Sequence, residues 1–280
     1  MVGAYLMDAR GSGESRRIVW ALEGETDLSW TRSSVTRMIR ARHRGINAGE
    51  RNVRTIFVGD LHGCAAEFEA LLETVSFDRS TCRLLLTGDA FSRGPEPHRV
   101  WELILDTGAE MVLGNHDARL LQQFEANDEG ESPTFKKPDQ RICFDALLPS
   151  VDALLPWLKA IPLKIDEPSF LLVHAGVHPV DSVEGTSRDE FLTIRTWPPT
   201  GGIEGPRWHD VIDPLADHPI IFGHDAPGGL VVKRPSQEQP PWAVGLDSGC
   251  IYGGALSAYL LDEARVVQVP SQQGGTRRWF

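Results

Sequence analysis

The chain has 280 residues, 41% hydrophobic and 24% charged, a composition typical of soluble globular proteins, and it lacks the apolar run of about 18 residues that predicts a transmembrane helix. Its formal net charge of −11 disfavours a nucleic-acid polymer as partner but permits a small anionic substrate, because bound metal cations dominate the field inside a site. The cysteines show neither CxxC pairing nor zinc-finger spacing, which predicts reduced thiols in a cytoplasmic protein; they are Cys64, Cys82, Cys143 and Cys250.

Residues 1–52 differ in pattern from the rest of the chain. They carry weak periodicity, many glycines and a cluster of arginines between positions 37 and 44. This pattern predicts an N-terminal extension that is weakly ordered and at most partly helical. A regular alternation of apolar runs and turns begins at residue 53, so we expect one folded domain over residues 53–280.

Strand, loop and helix follow one another three times after residue 53. Each apolar run ends at a glycine followed by a polar residue, and a segment with helical spacing comes after each loop. This order predicts a layered α/β fold. The predicted strands are 53–58, 83–87 and 109–113, and the predicted helices are 64–75, 96–105 and 118–124.

The second half of the chain is expected to form a second sheet. A polar loop at 127–139 and one or two short helices within 141–161 precede buried strands at 170–173 and 220–222. The tail from 242 to 269 alternates short apolar runs with glycine turns. That alternation predicts antiparallel strands that finish this second sheet.

Five predicted strands end in loops that bear aspartate, histidine or asparagine. Ligand sites collect at the carboxyl ends of strands in open α/β sheets, so we expect these side chains to converge. Carboxylate, imidazole and amide groups suit manganese, iron, zinc or cobalt, and their number exceeds the four ligands of one zinc, which predicts two metals. Asp89, in the middle of the series, is the natural bridging ligand. The residues are Asp60, His62, Asp89, Asn115, His116, His174 and His224.

The strand-end loops form a recognisable set of motifs. They are Gly59-Asp60-Leu61-His62-Gly63, Gly88-Asp89 with Arg93-Gly94, Gly114-Asn115-His116-Asp117, His174-Ala175-Gly176 and Gly223-His224. This set resembles that of the calcineurin-like metallophosphoesterases, and more narrowly that of the phosphoprotein phosphatase superfamily. The resemblance covers about residues 53–270. It implies a four-layer fold of the mixed α/β (α+β) class, in which a central β-sandwich is flanked by helices and the metals lie at one edge.

The resemblance also implies a role for each matched residue. Both metals would be divalent, with manganese the first expectation and iron, zinc or cobalt as alternatives, and a hydroxide bridging them would attack phosphorus. The ligands would be Asp60, His62 and Asp89 for the first metal, and Asp89, Asn115, His174 and His224 for the second. The catalytic and substrate-binding groups would be Asp89, His116 as general acid, Arg93, Arg195, Asn115 and Tyr252.

One position separates the branches of this superfamily. Protein Ser/Thr phosphatases usually carry an aspartate two residues before the glycine of the second motif, where it pairs with the general-acid histidine, but this chain has Ser92. His116 then lacks its expected partner, unless another acid such as Asp117 helps. The neutral residue followed by Arg-Gly-Pro, together with the tail at 246–258, resembles the bacterial symmetrical diadenosine-tetraphosphate hydrolases. That branch implies cleavage of a bis(5′-nucleosyl) tetraphosphate into two nucleoside diphosphates.

Two other functions stay open. A phosphatase of the same fold would act on phosphoprotein or small phosphomonoesters, and a non-catalytic relative would only bind phosphate, although such relatives usually lose ligands that this chain retains. The leading hypothesis implies a small phosphorylated substrate and neither a nucleic-acid polymer nor a membrane as partner; it leaves the oligomeric state open. Segments 197–202 and 225–241 depart from the family's pattern and are expected to shape the substrate pocket.

Some histidines and tryptophans have no motif context. We interpret these histidines as surface or supporting groups and these tryptophans as packing residues rather than platforms for a nucleobase. Asp247 lies in a matched motif and is expected to position the loop of His224. The residues left without a direct role are His98, His178, His209, His218, Trp197, Trp208 and Trp242.

Overall fold

The computed structural model describes residues 53–212 and 218–274. The predicted extension at 1–52 lies outside these ranges, as do residues 275–280 of the predicted domain. Within the described ranges, no helix combines the length and the apolar composition that a membrane crossing requires.

The strands of the described residues make up two sheets of five. In chain order they are β1 (Arg54–Val58), β2 (Cys82–Leu86), β3 (Glu110–Met111), β4 (Lys164–Glu167), β5 (Phe170–Val173), β6 (Ile220–Phe222), β7 (Val231–Lys233), β8 (Ala243–Gly245), β9 (Ala255–Leu260) and β10 (Arg265–Pro270). The first sheet has the order β10-β9-β1-β2-β3 and the second has the order β4-β5-β6-β8-β7. The centre of each sheet is parallel, so its strands end at a common edge.

The prediction for the tail was partly wrong. β8 joins the second sheet as expected, but β9 pairs with β1 of the first sheet, with Ile56 opposite Leu260, and β10 extends that sheet beyond β9. Alternating apolar residues specify which face of a strand is buried. They do not specify which sheet edge supplies its hydrogen-bond partners, so this assignment depends on contacts distant in the chain.

Side chains on the central strands alternate between two cores. Phe57 of β1 and Leu85 of β2 pack between the sheets against Phe170 and Ile221 of the second sheet. The ring centroids of Phe57 and Phe170 are 4.8 Å apart. The next residue along β1, Val58, packs on the opposite face among the helices. Because both faces of the first sheet are covered, the predicted β-sandwich flanked by helices is confirmed.

Helices cover the outer face of each sheet. α3 begins three residues before its predicted start, because Asp117 Oδ2 accepts the backbone N–H of Gly114 at 3.3 Å and caps the helix. Asn115 and His116 therefore lie in a first helical turn. The helices are α1 (Ala65–Thr74), α2 (Pro97–Thr107), α3 (Asn115–Asp128), α4 (Pro138–Leu147), α5 (Val151–Lys159), α6 (Ser182–Gly185) and α7 (Arg188–Thr193), and the 3₁₀ turns are Leu148–Ser150, Pro199–Gly201, Trp208–Asp210 and Cys250–Tyr252.

Candidate active site

The loops that follow β1, β2, β3, β5 and β6 converge at one place. Ligand-type atoms of Asp60, His62 and Asp89 all lie within 4.8 Å of one another, and so do those of Asp89, His174 and His224. Asp89 belongs to both groups. The structure thus brings together side chains that are far apart in sequence, in two groups joined by one carboxylate.

Several residues of these loops have a left-handed backbone. The φ angle is 47° at His62, 52° at Asp89, 77° at Arg93 and 69° at His224. Such conformations cost on the order of 1–3 kcal/mol for a residue with a side chain. At Gly114 a Cβ would lie 2.3 Å from the backbone nitrogen of Asp89, so only glycine allows this approach. The fold therefore holds these side chains in fixed positions at a cost in stability, as functional sites often do.

The imidazoles of His174 and His224 present unprotonated nitrogens to the same point. Nδ1 of His174 donates to the carbonyl of Thr87 at 2.8 Å, and Nε2 of His224 donates to the carbonyl of Thr193 at 3.2 Å. A carbonyl only accepts, so each ring has its lone pair on the other nitrogen. Those nitrogens lie 3.1 and 3.0 Å from Oδ1 of Asn115. Three converging acceptor atoms fit a divalent cation.

Burial also favours the neutral form of the imidazoles at this site. Desolvation lowers the pKa of His174 to about 4 and lowers the pKa of His62 and His224 well below the ordinary value. A neutral imidazole is the form that binds a metal ion.

Three carboxylates concentrate negative charge beside these rings. Asp60, Asp89 and Asp247 are each at most 5% exposed. Burial raises the pKa of Asp89 to about 6 and that of Asp247 to about 7. Burial, followed by the charges of Asp247 and Asp89, raises the pKa of Asp60 well above its usual value. The ionised carboxylates are thus disfavoured in the absence of a cation, and a bound divalent cation would remove that penalty.

The side chain of Asp117 does not support the ring of His116. Its carboxylate accepts the backbone N–H groups of Asp89 at 2.6 Å and Ala90 at 3.1 Å, besides that of Gly114. The suggestion that Asp117 replaces the missing partner was therefore wrong. The reason is local geometry: at the third position of α3, Asp117 points back to the helix start and fixes the loop that carries Asp89.

Ser92 also lies away from His116. Its hydroxyl is 3.4 Å from Nδ1 of His62. Nε2 of His116 lies 2.9 Å from Nη2 of Arg93, and its backbone N–H donates to Oδ1 of Asp89 at 2.8 Å. Burial, followed by the charge of Arg93, lowers the pKa of His116 well below its ordinary value. Among the described residues, no carboxylate pairs with the imidazole of His116.

A cavity of about 140 Å³ adjoins the converging loops. Nη2 of Arg195 donates to the carbonyl of His224 at 3.2 Å, which places this guanidinium beside the candidate metal ligands. The guanidinium carbon of Arg93 lies 5.6 Å from the ring centroid of Tyr252. The cavity is lined by His62, Asp89, Arg93, Asn115, His116, Arg195, Ile203, His224, Ala226, Pro227, Asp247 and Tyr252.

Sequence reasoning missed several residues in and beside this cavity. Ile203, Ala226 and Pro227 line it, and Asp225 makes ion pairs with Arg195 and Arg207. None of the missed residues belongs to a motif. Of them, only Asp225, Ala226 and Pro227 lie in a segment that was expected to shape the pocket, 225–241. Asp247 was expected to support the His224 loop, but it lies on the cavity wall and accepts the backbone N–H of Gly249 at 3.1 Å.

Residues left without a direct role lie mainly in the core of the second sheet. Trp208 is buried and its Nε1 donates to the carbonyl of Ala175 at 3.1 Å, so its predicted packing role is confirmed. The ring of His178 packs against Trp197 with centroids 4.4 Å apart. His209 is not a surface group: it is 4% exposed, and burial lowers its pKa to about 4.

A third group of ligand-type atoms lies apart from these loops. Atoms of Cys64, Glu67 and Cys250 lie within 4.8 Å of one another, and all three residues are buried. Sequence spacing gave no sign of this approach. Glu67 accepts the backbone N–H of Gln272 at 2.8 Å and the amide of Gln273 at 3.0 Å, so its carboxylate holds the end of the described chain against α1.

Such a fold and site define a class of protein. Carboxylate, imidazole and amide groups meet at the strand ends of two mixed sheets, beside arginines. This arrangement is that of a metal-dependent hydrolase acting on phosphoester or phosphoanhydride bonds. Residues 53–257 match the family described as calcineurin-like phosphoesterase. Because that match spans most of the chain, the chain belongs to the calcineurin-like phosphoesterase family.

The chain is also similar to individual relatives and solved structures. The chain is 38% identical to a symmetrical bis(5′-nucleosyl)-tetraphosphatase of Pectobacterium atrosepticum, over 79% of this chain and 96% of the relative. It is 30% identical to the enzyme of that name from Nitrosospira multiformis, over 79% and 98%. A crystal structure described as "a putative diadenosine tetraphosphatase" superposes with a TM-score of 0.62 at 32% identity, over 81% and 97%. A metallophosphoesterase from Sphaerobacter thermophilus, 15% identical, shares the fold with a TM-score of 0.51, over 79% and 89%.

Removal of divalent metal is expected to lower the melting temperature. The converging acceptors and buried carboxylates come together only in the folded state. A cation held by them at about 100 times its Kd would therefore stabilise the fold by roughly 2.7 kcal/mol. For a domain of this size the melting temperature should differ by roughly 5–10 °C between protein in excess Mn²⁺ and protein in excess chelator. Scanning fluorimetry measures the difference, and identical melting temperatures would contradict the expectation.

Proposed function

We propose that the chain hydrolyses dinucleoside tetraphosphates symmetrically, giving two nucleoside diphosphates. The observation that carries this proposal is that the imidazole of His116 has no carboxylate partner among the described residues. A histidine without a carboxylate partner is less often protonated, so it is a poor general acid for a poor leaving group. A nucleoside diphosphate leaves readily without full protonation, whereas a serine alkoxide does not. The names of the relatives support the same substrate class.

We propose that the site binds two divalent cations and that Mn²⁺ is the native ion. The cations would supply positive charge to the phosphate oxygens and lower the pKa of a bound water. We propose that Asp89 contributes to both metal positions, because its carboxylate lies in both groups of ligand-type atoms. The remaining proposed ligands are Asp60 and His62 for the first metal, and Asn115, His174 and His224 for the second.

We propose that Arg93 and Arg195 bind oxygens of the phosphate chain. Both guanidiniums line the cavity, and a planar guanidinium can donate to two oxygens of one phosphate. Nη2 of Arg93 lies 2.9 Å from the ring of His116, so a phosphate bound by Arg93 lies within reach of that imidazole. His116 then stands beside the leaving oxygen, and Asn115 and Tyr252 complete the proposed contacts to substrate.

Incubation with Mn²⁺ and diadenosine tetraphosphate, followed by anion-exchange chromatography, tests the proposal. We expect two ADP per substrate and no other nucleotide. ATP and AMP would assign a different bond to the same enzyme class. No nucleotide turnover, together with release of phosphate from a phosphopeptide or an alkyl phosphate, would replace the proposal with a phosphomonoesterase.

A further inference from the structure

We propose that Ile203, Ala226 and Pro227 form a nucleoside-binding subsite at the mouth of the active-site cavity. We call these three side chains the apolar lip. The inference rests on the proposed function and extends it, because it assigns residues to the base and ribose that stay attached to the phosphate chain.

The cavity is too small for the whole dinucleotide. Its volume is about 140 Å³, against the roughly 300–1,000 Å³ of sites that enclose a complete small molecule. A phosphate unit fits this space. In symmetric cleavage one phosphate separates the attacked phosphorus from the nearer nucleoside. That nucleoside must therefore lie across the rim of the cavity.

The apolar lip is the part of that rim able to receive an aromatic base. Ile203 is 39% exposed although it borders a cavity lined mainly by charged and polar side chains. Ala226 is buried and Pro227 is exposed beside it. Covering exposed aliphatic surface with the face of a base removes it from water, which favours binding. Neither phosphate nor a metal ion gains anything from such a surface.

An ion pair between half-buried Arg207 and buried Asp225 connects the two loops that carry the apolar lip. Nη1 of Arg207 donates to the carbonyl of Ile203 at 2.7 Å, and Nε of Arg207 lies 2.5 Å from Oδ2 of Asp225. Since Asp225 precedes Ala226, one guanidinium connects both sides of the lip. Nε of Arg195 lies 3.5 Å from Oδ1 of Asp225. This contact links the lip to Arg195, which is proposed to bind the phosphate chain. Loops fixed in advance lose little conformational entropy when a ligand binds.

Titration calorimetry with ADP and with inorganic pyrophosphate isolates the adenosine contribution, because both probes offer two phosphate units and only ADP carries a nucleoside. The full-length protein is used in Mn²⁺. For Ile203→Ser we expect the Kd of ADP to rise roughly 10-fold, as for loss of a buried aliphatic contact. The Kd of pyrophosphate should change by less than about twofold.

Val232→Ser is the matched control, because Val232 is 38% exposed and lies on β7 rather than on the cavity wall. It should leave both Kd values unchanged. Equal weakening of ADP and pyrophosphate by Ile203→Ser, or no change for ADP, would overturn the subsite. An ADP-specific loss without hydrolysis of diadenosine tetraphosphate would support the lip and reject the proposed reaction. Symmetric hydrolysis of diadenosine tetraphosphate, with ADP binding unaltered in Ile203→Ser, would support the proposed reaction and reject the lip.

Discussion

Asp89→Asn is expected to lower kcat on the order of 10³-fold and to reduce the divalent metal bound per chain. Asp89 is the carboxylate common to both groups of ligand-type atoms, so loss of its charge weakens both proposed metal positions at once. Removing even one preorganised electrostatic partner from an active site costs roughly 10²–10³-fold. Steady-state kinetics and elemental analysis of the dialysed protein measure the two effects.

The same variant separates a metal role from a structural one. Burial raises the pKa of Asp89 to about 6, so its ionised form destabilises the metal-free fold. Metal-free Asp89→Asn should therefore melt no lower than the metal-free native protein, while its gain in melting temperature on adding Mn²⁺ should shrink. Asp106→Asn, at an exposed position of α2, is the control and should match the native protein throughout. Full metal content with full activity in Asp89→Asn would reject its bridging role.

His116→Ala is expected to affect two substrates unequally. Cleavage of an alkyl phosphate, whose leaving alkoxide needs a proton, should slow by roughly 10²–10⁴-fold, as for loss of a general acid. Cleavage of diadenosine tetraphosphate should slow only roughly 10-fold, because its diphosphate leaving group depends less on protonation. The ratio of the two kcat/KM values, compared between native and variant protein, gives the measurement.

A second histidine provides the control for this comparison. His98 lies on α2, where its Nε2 is 3.2 Å from the hydroxyl of Ser150, and it does not line the active-site cavity. His98→Ala should leave the ratio unchanged. Equal losses on both substrates for His116→Ala would contradict the account of its missing carboxylate partner. A larger loss on the dinucleotide would point to a role in holding the phosphate chain beside Arg93.

The sequence by itself determined the local parts of this protein. Each apolar run that ends at a glycine and a polar side chain marks a strand and the loop after it, because a buried strand and a tight turn depend on neighbouring residues. The loops carrying Asp60, Asp89, Asn115, His174 and His224 were therefore predictable. So was their convergence, since parallel strands end at a common edge.

Only the tertiary structure decided the contacts between distant segments. The alternation in β9 fixes its buried face, yet its pairing with β1 depends on which sheet edge the folded chain leaves open. Likewise Ser92 faces His62, Asp117 holds the Asp89 loop, and Asp225 joins Arg195 to Arg207. Hydrogen bonds and ion pairs act over a few ångströms in space, whatever the separation in sequence. Their partners are fixed only when the layers have packed.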